Sequence, residues 1–118
     1  MTRVAYKLVD AGEWQAARAV GAYEGSAVDR ADGYIHMSTA AQLAETARRH
    51  YAGRDGLVLV EVTLDELGEA LRWEASRGGD LFPHHYGPLP LSAARSERGL
   101  AVNMDGAPVF EDGADGWP

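Results

Sequence analysis

The chain contains no cysteine, no long apolar run and few basic residues. The absence of cysteine excludes disulfide bonds and cysteine-ligated zinc, so the 118 residues must fold on an ordinary hydrophobic core. No segment approaches the ~20 apolar residues that a membrane-spanning helix requires, and we expect no membrane interaction. The segment MTRVAYKLVD lacks the apolar centre of a secretion signal, so we expect a cytoplasmic protein.

The charge balance is acidic, with eleven basic against eighteen acidic residues and a formal net charge of −7. This charge opposes non-specific binding to nucleic acids and anionic lipids, and we expect no nucleic-acid partner. A local positive patch for a small anion is still compatible with four arginines that are close in sequence. Solvation or pairing with acidic neighbours explains these residues equally. They are Arg72, Arg77, Arg95 and Arg98.

Length and an apolar fraction of 46% are those of one globular domain, which we predict over residues 1–110. The acidic, Gly-rich residues 111–118, EDGADGWP, predict a flexible tail. The segment SRGGDLFPHHYG (76–87) contains glycines and a proline, so we predict a loop without regular structure. Its apolar and aromatic side chains indicate that this loop folds back onto the domain.

The order of the predicted elements indicates an α+β fold: a mixed, mostly antiparallel sheet with two main helices. The first helix follows Asp10, which has capping-box spacing with Glu13, and the second follows Ser38 or Thr39. The aliphatic run Leu57 to Val62 predicts a strand at the middle of the sheet, because such runs are buried on both faces. The other predicted strands are Val4 to Val9, Gly33 to Met37, Ala70 to Ala75, a stretch within Ala93 to Val102, and Pro108 to Phe110.

Candidate functional residues occur first in GYIHMST (33–39). The alternation of a strand places Tyr34 and His36 on one face. An imidazole next to hydroxyls at a helix start can act as an acid, a base or a hydrogen-bond donor, and the helix N-terminus favours an anion. Two alternatives need no ligand: a structural histidine bonded to a main-chain carbonyl, and helix capping by Ser38 or Thr39.

The second candidate segment is FPHHYG (82–87), which combines two adjacent histidines with Tyr86. Because consecutive residues point in different directions, we expect only one of His84 and His85 to face a ligand. Histidine pairs at zinc-ligand spacing are missing, so we predict no metal. Glu74, just before the predicted loop, could bind a ribose hydroxyl or act as a base, and pairing with an arginine is the alternative.

Several segments together resemble the domain-of-unknown-function 952 family of bacterial proteins. They are YKLV, GSAVDRADGYIHMSTAAQLAETARRHYAG, LVLVEV, LRWEASRGGDLFPHHYGPLPL and DGAPVF, and they span about residues 4 to 110. The HMST segment with its following AAQ, and FPHHYGPLPL, are the most specific parts of this resemblance.

The resemblance implies a fold like that of the ADP-ribosyltransferases, which bind NAD in a cleft between two small sheets. On this sequence, His36 with Ser38 and Thr39 would hold the nicotinamide ribose, Tyr86 would supply a stacking ring and Glu74 the catalytic carboxylate. The match to those enzymes is partial. The first strand has Tyr6 and Lys7 where a transferase has His or Arg, and a Gln/Glu-x-Glu motif is missing.

We therefore expect a domain that binds a small, nucleotide-like molecule in a cleft built from Gly33–Thr39 and Phe82–Gly87. No cofactor is required, and NAD is a possible substrate. The alternatives are an ADP-ribosyl-transferring or NAD-cleaving enzyme with His36 and Glu74 as catalytic residues, and an enzyme of another class with a histidine as general base. The expected ligand-binding residues are Tyr34, Ser38, Thr39, Arg77, His84, His85 and Tyr86.

Overall fold

Nine strands and three helices form the fold of residues 3–118, the part that the computed structural model describes; of Arg77 it describes the main chain alone. The helices are α1 (Ala11–Val20), α2 (Ala27–Asp32) and α3 (Ala40–His50). The strands are β1 (Val4–Asp10), β2 (Ala22–Tyr23), β3 (Ile35–His36), β4 (Leu57–Thr63), β5 (Leu71–Ala75), β6 (Leu81–His85), β7 (Leu89–Pro90), β8 (Ala94–Val102) and β9 (Pro108–Phe110).

These strands form three sheets, in the orders β1-β4-β8-β9, β2-β7 and β3-β6-β5, and the named pairs are antiparallel. The α+β class and the antiparallel pairing are confirmed. The single mixed sheet of the prediction is instead divided into one large and two small sheets. The aliphatic run in β4 does lie inside its sheet, between β1 and β8, as predicted.

Alternation along β4 gives the large sheet two buried faces. On one face Val60 and Val62 pack in the core that contains Trp14 of α1. On the other face Leu57 and Leu59 pack in the core that contains Leu43 and Ala47 of α3. Because a helix covers each face, β4 needs apolar residues at consecutive positions, which explains why Leu57 to Val62 is aliphatic except at Glu61.

Residues 76–87 do not form the irregular loop that we predicted, because β6 occupies their second half and lies between β3 and β5. A proline inside a central strand normally removes a ladder hydrogen bond. Here the main-chain oxygen of Pro83 accepts from the N–H of Met37 at 3.1 Å, on the side where β3 has already ended at His36. The missing donor therefore interrupts no regular pairing.

Three helices replace the two that we predicted. The additional helix, α2, is only six residues long and begins at Ser26 with a full capping box to Asp29. A helix this short is marginal by itself, and the buried contacts of the Asp29 carboxylate with other segments stabilise it. No helix within residues 3–118 is both long and apolar enough to cross a membrane.

The C-terminal segment, predicted to be a flexible tail, contacts the domain in the structure. The ring of Trp117 packs edge-on against Phe110 with 5.9 Å between centroids, and Asp112 pairs with Arg98 at 3.0 Å. The flexibility of residues 111–118 stays a prediction.

The edge of β1 that does not pair with β4 is covered by the polypeptide that follows β3 and α3. The N–H of Tyr6 donates to the oxygen of Ser38 at 2.7 Å, and the N–H of Ser38 donates to the oxygen of Tyr6 at 2.9 Å. Further along, the hydroxyl of Tyr51 donates to the oxygen of Leu8 at 3.2 Å. These bonds attach the large sheet to its neighbours and border the main cavity.

Candidate functional site

A cavity of about 610 Å³ lies beside the covered edge of β1. Five parts of the fold line it: β1, Glu13 of α1, the region of α2, the region of α3, and the strands β3 and β6. Aromatic and apolar side chains such as Tyr6, Leu8, Leu43 and Phe82 form much of its surface. Its charged and titratable lining residues include Lys7, Glu13, Asp32, His36, Arg54 and His84.

An ion pair between Lys7 and Asp29 lies beside this cavity and is nearly inaccessible, with exposures of 6% and 2%. Nζ of Lys7 lies 3.0 Å from Oδ2 of Asp29. Burial lowers the pKa of Lys7, although the Asp29 charge opposes this shift. Burial would raise the pKa of Asp29, but the hydrogen bond from His36 and the Lys7 charge outweigh it, so the pKa is lowered.

His36 lies between two carboxylates. Its Nδ1 is 2.6 Å from Oδ1 of Asp29, and its Nε2 is 2.9 Å from Oδ2 of Asp32. The main-chain N–H of His36 also donates to Asp29, at 3.1 Å. Because a carboxylate only accepts, the hydrogen bond to Asp29 requires a proton on Nδ1. The contact with Asp32 is an ion pair only when the ring is protonated at both nitrogens.

His84 is oriented by one carboxylate. Its Nδ1 lies 2.8 Å from Oε1 of Glu74, and the hydroxyl of Tyr86 donates to both oxygens of Glu74, at 2.8 and 3.0 Å. The hydrogen bonds from His84 and Tyr86 lower the pKa of Glu74, and the bond to Glu74 raises the pKa of Tyr86. Glu74 occupies Nδ1 of this ring, which is only 3% exposed, so a ligand could bind the ring edge only through Nε2.

The ring of Tyr34 joins the two histidines. It stacks on His84 with 4.1 Å between centroids and lies 4.6 Å from His36 and 5.2 Å from Tyr86. The two imidazoles meet edge-on at 5.5 Å. The predicted segments GYIHMST and FPHHYG thus contribute to one cluster of rings.

The two hydroxyls at the start of α3 have different positions. The side chain of Thr39 accepts from the N–H of Gln42 and caps the helix. Ser38 is buried, contacts Oγ1 of Thr46 through its Oγ at 2.8 Å and lines the cavity. Capping therefore accounts for Thr39 and leaves Ser38 for the site.

His85 points away from the cavity. It is 4% exposed, and its Nε2 donates to the oxygen of Pro88 at 3.1 Å. Its Nδ1 has no hydrogen-bond partner among the residues that the structure describes. Because side chains alternate along β6, His84 and His85 belong to opposite faces, and the structure brings only His84 to the cavity.

Of the residues predicted for the site, His36, Ser38 and His84 line the cavity. A second group supports their rings from behind without lining it: Tyr34, Glu74 and Tyr86. Thr39 and His85 have the structural positions described above. The side chain of Arg77 lies outside the described residues.

The other arginines of the predicted patch do not gather at this cavity. The guanidinium of Arg72 lies over the ring of Tyr86 at 4.9 Å. Arg95 pairs with Glu61 at 2.8 Å, and Arg98 pairs with Asp112. Within residues 3–118, no group of three His, Asp or Glu side chains is arranged to hold a metal ion.

Sequence reasoning missed three charged residues of the site, although each left a signal. Lys7 interrupts the apolar strand VAYKLV, where a lysine needs a partner to be buried. Asp29 stands three residues after Ser26, which is capping-box spacing. Asp32 precedes His36 by four residues, but the intervening end of α2 and turn, rather than a continuous helix, bring them together.

Comparison with known proteins establishes the family. Residues 8–96 match the profile of a family described as "Protein of unknown function (DUF952)". The chain belongs to the DUF952 family. No curated protein matches it.

Solved structures of protein CC0527 from Caulobacter crescentus are similar to this DUF952 chain. The crystal structure is 49% identical, with a TM-score of 0.85 over 90% of this chain and 93% of that one. The solution NMR structure is 50% identical, with a TM-score of 0.76 over 87% and 89%. These similarities support the α+β architecture, and inference about function rests on the site.

Proposed function

We propose that this DUF952 chain binds a small, nucleotide-like metabolite in the cavity beside β1. One observation carries the proposal: His36 and His84 both line the cavity, and each is oriented through Nδ1 by a carboxylate. Imidazoles fixed in this way direct Nε2 at a bound molecule, as in many binding and catalytic sites.

The size and lining of the cavity support a ligand of this class. A volume of about 610 Å³ falls within the range of small-molecule sites. Aromatic and apolar side chains suit a flat base, whereas the imidazoles, Ser38 and Lys7 suit polar groups of a sugar or phosphate. Lys7 and Arg54 on one side, and Glu13 and Asp32 on the other, give the lining charges of both signs.

The likeness to ADP-ribosyltransferases belongs to the same proposal. The cavity lies between β1 of the large sheet and β3 and β6 of the three-stranded sheet. A cleft between two sheets is what the family resemblance implies for NAD binding, and NAD is therefore among the ligands to test.

A second candidate function is cleavage of NAD with transfer of ADP-ribose. The two-sheet cleft favours it, because the same arrangement serves those enzymes. The position of Glu74 places it second: this carboxylate is bound to His84 and Tyr86 and does not line the cavity, where a ribose hydroxyl would lie. His84, rather than Glu74, lines the cavity at this position.

The binding proposal is tested by calorimetry and thermal-shift measurements with adenosine, AMP, ADP and NAD. His84→Gln and His85→Gln form a matched pair, since the two residues are adjacent and only His84 reaches the cavity. We expect His84→Gln to weaken binding about tenfold or more, the loss of a charge-assisted or strong hydrogen bond. We expect His85→Gln to lower the melting temperature and leave the affinity unchanged. Absence of binding by every nucleotide to the wild type would refute the proposal.

The second candidate is tested by nicotinamide release from NAD. The enzymatic hypothesis requires release that is lost in both His36→Ala and Glu74→Gln. If the wild type binds NAD but releases no nicotinamide over a panel of acceptors, the binding function stands and the transfer function is rejected.

A further inference from the structure

We propose that Nε2 of His36 forms an oxyanion subsite of the cavity, and that the Asp32 carboxylate occupies this subsite when no ligand is bound. The inference rests on the proposed function in one respect, that this cavity is the binding site. It adds the chemistry of the ligand group, a phosphate or carboxylate oxygen, and names the residue with which that group competes.

His36 has only one ring nitrogen to offer to a ligand. The other, Nδ1, lies 2.6 Å from Asp29, whose side chain is 2% exposed. Asp29 is also held by Lys7 at 3.0 Å and by the N–H of Ser26 at 2.9 Å, so it is a fixed part of the fold. Any ligand that binds His36 through its ring edge must therefore use Nε2.

Asp32, which contacts Nε2, is far more exposed to solvent than Asp29. Its side chain is 47% exposed, and Oδ2 lies 2.9 Å from Nε2. Asp32 is the last residue of α2, where the helix dipole disfavours a carboxylate. Among the residues that the structure describes, its ion pair is with His36 alone, so the side chain can leave toward solvent without breaking another.

The group that replaces Asp32 must match its chemistry. Nε2 and the Asp32 carboxylate form an ion pair when the ring is protonated. An ionised oxygen binds an imidazolium N–H about twice as strongly as a neutral oxygen does, so a neutral oxygen does not compensate for the loss of this ion pair. A phosphate or carboxylate oxygen does. Asp32 thereby selects for anionic ligands, and it lowers their apparent affinity by the fraction of time that it occupies Nε2.

Removal of the competitor provides the test. Inorganic phosphate and acetate are titrated separately into the wild type and Asp32→Ala, with calorimetry for affinity and side-chain ¹⁵N NMR for His36. We expect Asp32→Ala to bind one or both anions about tenfold more tightly, with a shift of the Nε2 resonance, because the self-occupied fraction is lost. The comparison of the two anions shows which oxyanion the subsite takes. We expect no gain for adenosine, which lacks an anionic group.

Glu13→Gln is the matched control. Glu13 lines the same cavity and carries the same charge, but in the part of the chain that the structure describes it makes no hydrogen bond or ion pair with His36. General electrostatics predicts an equal gain in both variants, and that result would overturn the proposal. Competition at Nε2 predicts a gain of no more than about twofold for Glu13→Gln, since a screened charge at a distance acts weakly.

The outcomes separate this inference from the proposed function. If phosphate or acetate shifts Nε2 of His36 in Asp32→Ala while no nucleotide binds, the subsite stands and the nucleotide proposal fails. If nucleotides bind but Asp32→Ala changes neither their affinity nor the Nε2 resonance, the subsite is refuted and the binding function stands.

Discussion

Two histidine–carboxylate pairs face the same cavity, yet they are built in opposite ways. Asp29, which holds His36, is 2% exposed and also pairs with the buried Lys7. Glu74, which holds His84, is 35% exposed and is completed by a tyrosine hydroxyl. In both pairs a carboxylate binds Nδ1 of the imidazole. In the first pair that carboxylate belongs to a buried network of charges, and in the second it lies at a sheet edge that is open to water. We expect the first arrangement to couple the site to stability more strongly than the second.

The largest difference is expected when each carboxylate is removed. Asp29→Ala leaves Lys7 buried without a partner, and we expect the free energy of unfolding to fall by about 3–5 kcal/mol. Glu74→Ala should reduce it less, because Glu74 is 35% exposed and its removal leaves no buried lysine without a partner. Urea denaturation measures both. The double variant Lys7→Met/Asp29→Leu should recover much of the loss, since apolar residues can replace a buried pair. A loss below about 1 kcal/mol in Asp29→Ala would contradict the assigned role.

The pH dependence of stability should follow Asp29. Its pKa is lowered in the folded protein, so its stabilising effect is complete above the ordinary aspartate pKa of about 3.9 and is lost as the pH falls further toward the folded value. We expect Asp29→Asn to be less stable at neutral pH and to show a smaller slope of unfolding free energy below about pH 4. Chemical denaturation between neutral and acidic pH measures this slope. An unchanged slope would show that other carboxyl groups control acid unfolding.

The smallest effect concerns ionisation at the sheet edge. The hydrogen bond to Glu74 raises the pKa of Tyr86, with a further contribution from burial. Glu74→Gln removes the negative charge, and we expect the pKa of Tyr86 to fall toward its ordinary value of about 10. NMR of ¹³C-labelled tyrosine rings follows this titration, with Tyr86→Phe to assign the signal. A pKa that stays unchanged in Glu74→Gln would show that burial controls it.

Local signals in the sequence predicted much of this architecture. The aliphatic run of β4 and the caps of α1 and α3 depend on neighbouring residues, and the structure confirms them. The strand β6 was missed because Pro83 argues against a central strand. Its tolerance depends on where β3 ends, which is a property of a distant segment.

The site was predictable in its rings more than in its charges. Alternation puts Tyr34, the residue before β3, beside His36 and separates His84 from His85 within β6, since these relations are local in sequence. The pairing of Lys7 with Asp29 joins residues 22 positions apart and depends on the packing of α2 against β1. The periodicity of apolar residues along the sequence cannot predict a contact between residues so far apart. The same limit hid the contacts of Glu74 with His84 and Tyr86, and its catalytic role stays a prediction.

The pair of main-chain hydrogen bonds between Tyr6 and Ser38 allows opening of the cavity to be measured by amide hydrogen exchange. These bonds attach the edge of β1 that does not pair with β4 to the segment after β3, so widening the gap between the large sheet and the three-stranded sheet must strain both bonds. The rate of amide hydrogen exchange at Tyr6 and Ser38 therefore reports how often the protein opens locally at this gap. A molecule that bridges the two sheets would slow amide exchange at both positions together. This effect can be detected without knowing in advance what the molecule is.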